Sequence, residues 1–163
     1  MGKVRDMKLS TKGRYGLRAV LDIAVHADEE AVALSQIAEQ QGVSLNYLEQ
    51  LIAKLKKAGI VKSIRGAQGG YMLAVPMETL SIGDILRALE GDLSPVDCSE
   101  IKDGESACSH SDSCVTKYVW KRISNSINDA VDSIMLSELV EESRKVQCGT
   151  GAMDTKAKQT CGK

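Results

Sequence analysis

The sequence predicts a mainly α-helical fold that carries one small two-stranded sheet, and three observations predict it. Apolar residues recur every three or four positions over most of the chain, as one face of a helix requires. Glycine and capping residues punctuate those stretches, with Gly42 and Ser44, Gly59, Ser81 and Gly91 at the boundaries. One passage breaks the helical period: Ile60–Ile64 and Tyr71–Val75 flank the glycine-rich tip Arg65-Gly66-Ala67-Gln68-Gly69-Gly70. Aromatic residues make up only 3% of the chain, with four Tyr, one Trp and no Phe, so Leu, Ile, Val and Ala must build the core.

At 163 residues the chain is long enough to bury such a core, and its length argues for one domain with appendages. No apolar run approaches the roughly 20 residues of a membrane helix, and no signal-peptide core follows the start. A cytoplasmic protein with no membrane partner is expected. The net charge of −1 conceals an asymmetry. Residues 1–75 hold eleven Lys and Arg against seven Asp and Glu, whereas residues 76–115 hold two against nine. A basic front half fits a phosphate-facing surface, with an acidic middle turned away from it. Charge alone leaves a solvated face without a partner as the alternative. Five cysteines, an odd number in a chain without an export signal, argue against a disulfide framework. Metal binding or redox chemistry is the better reading for at least three of them.

In chain order, residues 1–6 read as a leader and Met7 as a candidate start. A first helix follows, with Arg14 and Arg18 near its beginning and Leu17, Val20, Leu21 and Ala24 on one face. It should end near His26, read as a helix-end residue, before the acidic turn Asp28-Glu29-Glu30. Leu34 to Gln41 reads as a short helix with Ser35 as N-cap and Ile37 and Ala38 facing inward. Gly42 ends it, and Ser44 caps the next helix, whose buried stripe is Leu48, Leu51, Ile52 and Leu55. Two helices joined by a tight glycine turn form a helix-turn-helix, and a strand–tip–strand passage directly after it is the outline of a wing.

Pro76 breaks the second strand. Ser81 with Asp84 resembles a capping box, opening a helix with Ile82, Ile85, Leu86 and Leu89 inward and Gly91 at its end. This helix is expected to pack on the first. Residues 92–113 lose regular patterning, and a loop of that length is usually functional or disordered. Beyond it Val115, Val119, Ile123, Ile127, Val131 and Ile134 form one stripe along a helix too long to cover its own face in so small a domain. Pairing with the same helix of a second subunit, a homodimer about a two-fold axis, is the economical answer. Packing within the chain is the alternative. Met135 to Arg144 reads as a closing helix, and the composition from Lys145 onward suggests disorder. The expected units are a winged helix-turn-helix domain over 7–91, a cysteine-bearing loop over 92–114, dimerisation and closing helices over 115–144, and a disordered tail over 145–163.

A recognition helix reads bases through the exposed side chains near its N-terminus, here Ser44, Asn46, Tyr47, Glu49 and Gln50. Gln pairs bidentately with adenine, and Glu accepts from the cytosine amino group. Lys54, Lys56 and Lys57 lie where phosphate contacts are expected. Arg65, with Gly66 and Gln68 at the same tip, suits a narrow minor groove. Lys8, Lys12 and Arg14 at the basic start of the first helix complete the set. Singly, each of these is an ordinary solvated residue; together they point to double-stranded DNA.

The second constellation is Cys98-x9-Cys108-x5-Cys114. Thiolates are soft anionic ligands that match iron–sulfur clusters and zinc. His110 is the nearest candidate for a fourth donor. The paired CxxC spacing of zinc knuckles is missing, so spacing leaves metal or cluster binding open beside redox-active or inert thiols. Cys148 and Cys161 belong to no pattern. No nucleophile–base pair emerges, and no catalytic residue is expected.

The phrases KLSTKGRYGLRA, NYLEQL, KLKKAGIV and SIRGAQGGY resemble the IscR/NsrR/CymR family of winged-helix regulators. The likeness runs from Met7 to about Glu142. It implies a dimeric DNA-binding transcriptional regulator with a long dimerisation helix after a cysteine-bearing loop. Three loop cysteines hold an iron–sulfur cluster, [2Fe-2S] or [4Fe-4S], in the cluster-sensing branches, which implies Cys98, Cys108 and Cys114 here. A small-molecule or redox signal would then act through the cluster. The chain departs from the pattern in its longer first cysteine interval. Lys117 and Arg14 also stand where two branches place the fourth ligand, which leaves that ligand open between His110, water, a small thiol and a carboxylate of the loop. The phrase ALEGDLSPVD looks closest to the CymR branch, which lacks the three cysteines. A cluster-free regulator of sulfur metabolism and a zinc-stabilised DNA-binding protein are therefore the alternatives. In the resembling family a recognition-helix glutamate penalises some sites when the cluster is absent, and Glu49 stands at that position.

Overall fold

Six helices and one two-stranded antiparallel sheet make up residues 10–26, 31–66, 69–96 and 114–150, the part of the chain that the computed structural model describes. Helix α1 spans Thr11–Val25, α2 Leu34–Gln41 and α3 Leu45–Lys57. The strands β1 (Val61–Ile64) and β2 (Gly70–Leu73) form the wing, and α4 (Ile82–Glu90), α5 (Thr116–Asp132) and α6 (Leu136–Thr150) follow. The mainly helical architecture with a two-stranded wing is the expected one.

Helix α1 is opened by Ser10, whose hydroxyl accepts from the Lys12 N–H. Its buried face is Gly13, Gly16, Ala19, Val20, Ile23 and Ala24. Leu17 and Leu21, expected on one face with Val20 and Ala24, are only half-buried against the core. The stripe is rotated because α4 approaches α1 over its two glycines, where the missing side chains let the helices close in. His26 closes the helix, its Nδ1 2.8 Å from the Asp22 carbonyl.

Helix α2 corrects one expectation. Its N-cap is Ala33, with no side-chain capping bond, and Ser35 lies inside the first turn. The reason is one residue upstream. Val32 exchanges two backbone hydrogen bonds of 2.9 Å with Tyr71 of β2, so the chain leaves the sheet and enters the helix at once. That bridge gives the wing a third, one-residue edge. A β-carbon on Gly70 would fall 2.5 Å from the Val32 carbonyl oxygen, which explains why β2 begins on glycine. Gly42 takes the left-handed conformation (φ 64°) that ends α2, and Gly59 (φ 76°) turns the chain from α3 into the wing. Register in the wing pairs Val61 with Leu73 and Ser63 with Tyr71.

The capping box is present in full at α4. The Ser81 hydroxyl accepts from the Asp84 N–H at 3.1 Å, and the Asp84 carboxylate accepts from the Ser81 N–H at 3.3 Å. Ile85 and Leu89 are fully buried among Ile23, Ile37, Leu48, Leu51, Ile52 and Leu55. Helix α5 stops at Asp132, before the end of its expected stripe. There the chain turns back to α4: the Ile82 N–H donates to the Ile134 carbonyl and the Leu136 N–H to that of Leu80, both at 2.9 Å. Helix α6 then seats Leu136 and Val140 in the core beside α1 and continues past Arg144 to Thr150. Its helical residues 145–150 fall in the stretch that composition assigned to a disordered tail.

Candidate nucleic-acid interface

Ser44 is the N-cap of α3, its hydroxyl accepting from the Tyr47 N–H at 3.3 Å. Leu48, Leu51, Ile52 and Leu55 face the core, which turns the opposite face outward. Ser44, Asn46, Glu49 and Gln50 are exposed there. Tyr47 is half-buried. Its ring meets Tyr15 of α1 edge-on, centroids 6.2 Å apart, and its hydroxyl donates to Thr11 at 3.4 Å. The start of α3 is thus tied to the start of α1, and the exposed Lys12 and Arg14 border the same surface. Arg14 lies over the Tyr15 ring, 4.9 Å from its centroid, and donates to its hydroxyl.

Two of the three lysines at the other end of α3, Lys54 and Lys56, have work inside the fold. The Lys54 ammonium donates to the Leu89 carbonyl at 2.8 Å, where the C-terminal end of α4 favours a cation. Lys56 donates to the Ser63 hydroxyl at 2.9 Å and joins α3 to β1. Lys57 is exposed, as are Lys62, Arg65 and Gly66 of the wing. Gly66 holds φ 134°, a backbone that side chains rarely adopt, and its carbonyl accepts from the Gly69 N–H at 3.0 Å. Lys8 and Gln68 lie outside the described residues.

Behind this surface α4 supports both helices. The Glu90 carboxylate accepts from the Gly13 N–H at 2.7 Å and from the Ser10 hydroxyl, placing a negative charge at the start of α1. No sequence pattern pointed to Glu90, Tyr15 or Thr11, because their partners lie 80, 32 and 36 residues away in the chain.

Of the cysteine constellation, Cys98, Cys108 and His110 lie outside the described residues, as do the side chain of Cys148 and all of Cys161. Cys114 is exposed and precedes the first turn of α5. Its sulfur sits 3.1 Å from the Thr116 hydroxyl. That hydrogen bond, and then one from the Lys117 N–H, hold the thiol below its ordinary range. The thiolate form is the one that ligates metals, so the Cys114 environment fits a soft-metal ligand.

Beyond Cys114, α5 leaves much of its apolar face in solvent. Val115, Tyr118 and Val119 are exposed, and Ile123 and Ile127 are half-buried. With Arg122, Ser126 and Ala130 the last four line a shallow groove. Ser124 is the buried residue of this helix, 2.9 Å from the Ser94 hydroxyl. Among the described residues no helix is long and apolar enough to cross a membrane.

Residues 9–142 match the family described as Rrf2, iron-dependent transcriptional regulator. The HTH-type transcriptional regulator IscR of Vibrio vulnificus is 40% identical over 141 residues, covering 86% of this chain and 82% of that one. Among solved structures, T. potens IscR aligns with a TM-score of 0.68 at 46% identity over 86% of this chain and 90% of its own. CymR, the global cysteine regulator of B. subtilis, aligns with a TM-score of 0.66 at 39% identity, covering 83% of this chain and 97% of its own. The relatives are named as transcriptional regulators and not as enzymes.

Proposed function

The chain belongs to the Rrf2 family of transcriptional regulators, and from that premise we propose that it works as a cytoplasmic homodimer on double-stranded DNA. One observation carries the DNA assignment. The first turns of α3 present Ser44, Asn46, Glu49 and Gln50 outward, beside an exposed Arg65 on the wing and Lys12 and Arg14 on α1. Asn46 and Gln50 suit adenine, Glu49 suits cytosine and Arg65 suits a minor groove. Lys8, Lys12, Arg14 and Lys57 suit phosphates, and Gly66 and Gln68 shape the tip that carries Arg65. The half-open apolar face of α5 supports pairing of that helix with its copy.

Control is assigned to the cysteine loop. Cys98, Cys108 and Cys114 would hold an iron–sulfur cluster, [2Fe-2S] or [4Fe-4S], with His110 as the fourth donor. The cluster would contribute sensitivity to iron supply and to oxidants. DNA affinity or choice of site would differ between loaded and empty protein, with Glu49 discriminating among sites; a signal shifts such an equilibrium only through differential affinity. The likeness to a cysteine regulator supports a second reading, in which the thiols act without a cluster.

Anaerobic purification followed by a visible spectrum and iron analysis separates the two. A cluster gives colour, iron and loss of both on Cys98→Ala, Cys108→Ala or Cys114→Ala, with Cys148→Ala and Cys161→Ala unaffected. Colourless, iron-free protein after reconstitution leaves the second reading. For DNA, binding must fall steeply with salt as phosphate counterions are released, and a flat salt dependence refutes the assignment.

A further inference from the structure

We propose that Arg87 and Asp132 are specificity-determining residues: their ion pair fixes the angle between α5 and the winged domain, and so sets the half-site separation the dimer accepts. The inference rests on the reading above, that two copies join through α5 and meet DNA through α3.

Helix α5 is attached to the rest of the chain by its second half. Arg87 of α4 donates from Nη2 to Asp132 Oδ1 at 2.5 Å and from Nη1 to Asp132 Oδ2 at 3.3 Å. The same guanidinium donates to Asn128 at 3.2 Å and back to Asp84 at 3.2 Å. A two-bond arginine–carboxylate fork fixes orientation as well as distance, which a single point charge does not. Gly83 allows the approach, since a β-carbon there would lie 2.9 Å from Arg87 Nη2 and 3.0 Å from Asp132 Cγ. The Ser94–Ser124 bond and the Ile82–Ile134 backbone bond are the neighbouring attachments. Toward its N-terminus α5 exposes Tyr118 and Val119.

The other end of α4 fixes the reading head. Leu89 packs on Gly16, Glu90 holds the start of α1, and the Leu89 carbonyl receives Lys54 of α3. Any rotation of α4 against α5 therefore carries α1 and α3 with it. In a dimer joined through α5 the two α3 helices move apart or turn in opposite senses. DNA reports such a change sharply, because one base pair of spacing moves a half-site by about 3.4 Å and roughly 35° around the duplex.

The pair is suited to geometry more than to stability. The Arg87 and Asp132 side chains are 35% and 45% exposed, and ion pairs so open to water add little to folding.

The test uses the full chain as wild type, Arg87→Lys, Arg87→Gln and Asp132→Asn. Wild-type protein selects its site from random-sequence duplexes, and the selected duplex is remade with one base pair added or removed between half-sites. Wild type should lose about tenfold or more in affinity per changed base pair, a penalty in the range of a mismatched contact. Arg87→Gln and Asp132→Asn should lose less than about threefold, with melting temperature and affinity for the original spacing little changed. Arg87→Lys keeps the charge but not the fork and should fall between. A wild-type spacing penalty in Arg87→Gln overturns the proposal. So does a variant that melts early and weakens on every spacing alike, which would make the pair structural. Failure of the underlying reading is seen separately, as wild-type protein that selects no DNA or binds one half-site as a monomer.

Discussion

The isobutyl group of Leu89 in α4 occupies the space where a side chain on Gly16 of α1 would go: a β-carbon there would be 2.8 Å from Leu89 Cδ2 and 3.1 Å from Cγ. Leu89 is 1% exposed and cannot swing away. Gly16→Ala would gain up to about 1 kcal/mol of helix propensity. Overpacking in a filled core costs about 1–3 kcal/mol, so the expected outcome is net destabilisation. Urea unfolding should show a lower midpoint with an unchanged slope; an unchanged or higher midpoint would mean that α1 and α4 can part without loss.

Leu136 is fully buried, whereas Val146 further along α6 is 64% exposed. Truncating a buried leucine removes its transfer energy and leaves a cavity, so Leu136→Ala should cost about 2–5 kcal/mol. Val146→Ala should stay within about 0.5 kcal/mol. Equal effects at the two positions would show that α6 is not seated in the core as described.

Much of this fold is legible in the sequence because its signals are local. Caps, glycine stops and the apolar period placed α3, α4 and the wing, and Ser81 with Asp84 declared the capping box through residues three apart. What was hidden depends on distant partners. Ser35 is as good a capping residue as any, yet the Val32–Tyr71 bridge puts the N-cap of α2 at Ala33 instead. The buried face of α1 follows its glycines, which carry no hydrophobic signal, and α6 outlasts its polar composition. At the candidate interface, exposure of Asn46, Glu49 and Gln50 follows from helical period alone. The engagement of Lys54 with α4 and of Tyr47 with Tyr15 does not.

Asp84 supplies a pH prediction. The Ser81 hydroxyl, the leading cause, and then Arg87 hold its carboxyl below the ordinary value of 3.8. A carboxylate depressed on folding contributes stability that is present above its unfolded value and lost as pH falls through the folded one. Its side chain is 52% exposed, so the contribution is a fraction of the roughly 1 kcal/mol of a good cap. The stability difference between wild type and Asp84→Asn should be constant near neutrality and shrink once pH drops below about 4. A difference that instead grows on acidification would contradict the assignment.

Lys54 and Lys57 are both lysines at the end of α3, and sequence alone gives them the same role. Their surroundings separate them. Lys54 holds the Leu89 carbonyl, so Lys54→Met should lower stability by about 1 kcal/mol, the usual worth of such a bond. Since its ammonium is committed to α4, the salt slope of DNA binding should not change. Lys57 is exposed at the same end of the helix, so Lys57→Met should leave stability within about 0.5 kcal/mol. If Lys57 meets a phosphate, its loss should weaken binding to all sequences alike and reduce the log–log salt slope by about 1. Denaturant unfolding and salt titrations of both variants provide the comparison. A reduced slope for Lys54→Met would mean that Lys54 exchanges its α4 partner for DNA on binding, and the α3–α4 contact would then be broken in the complex.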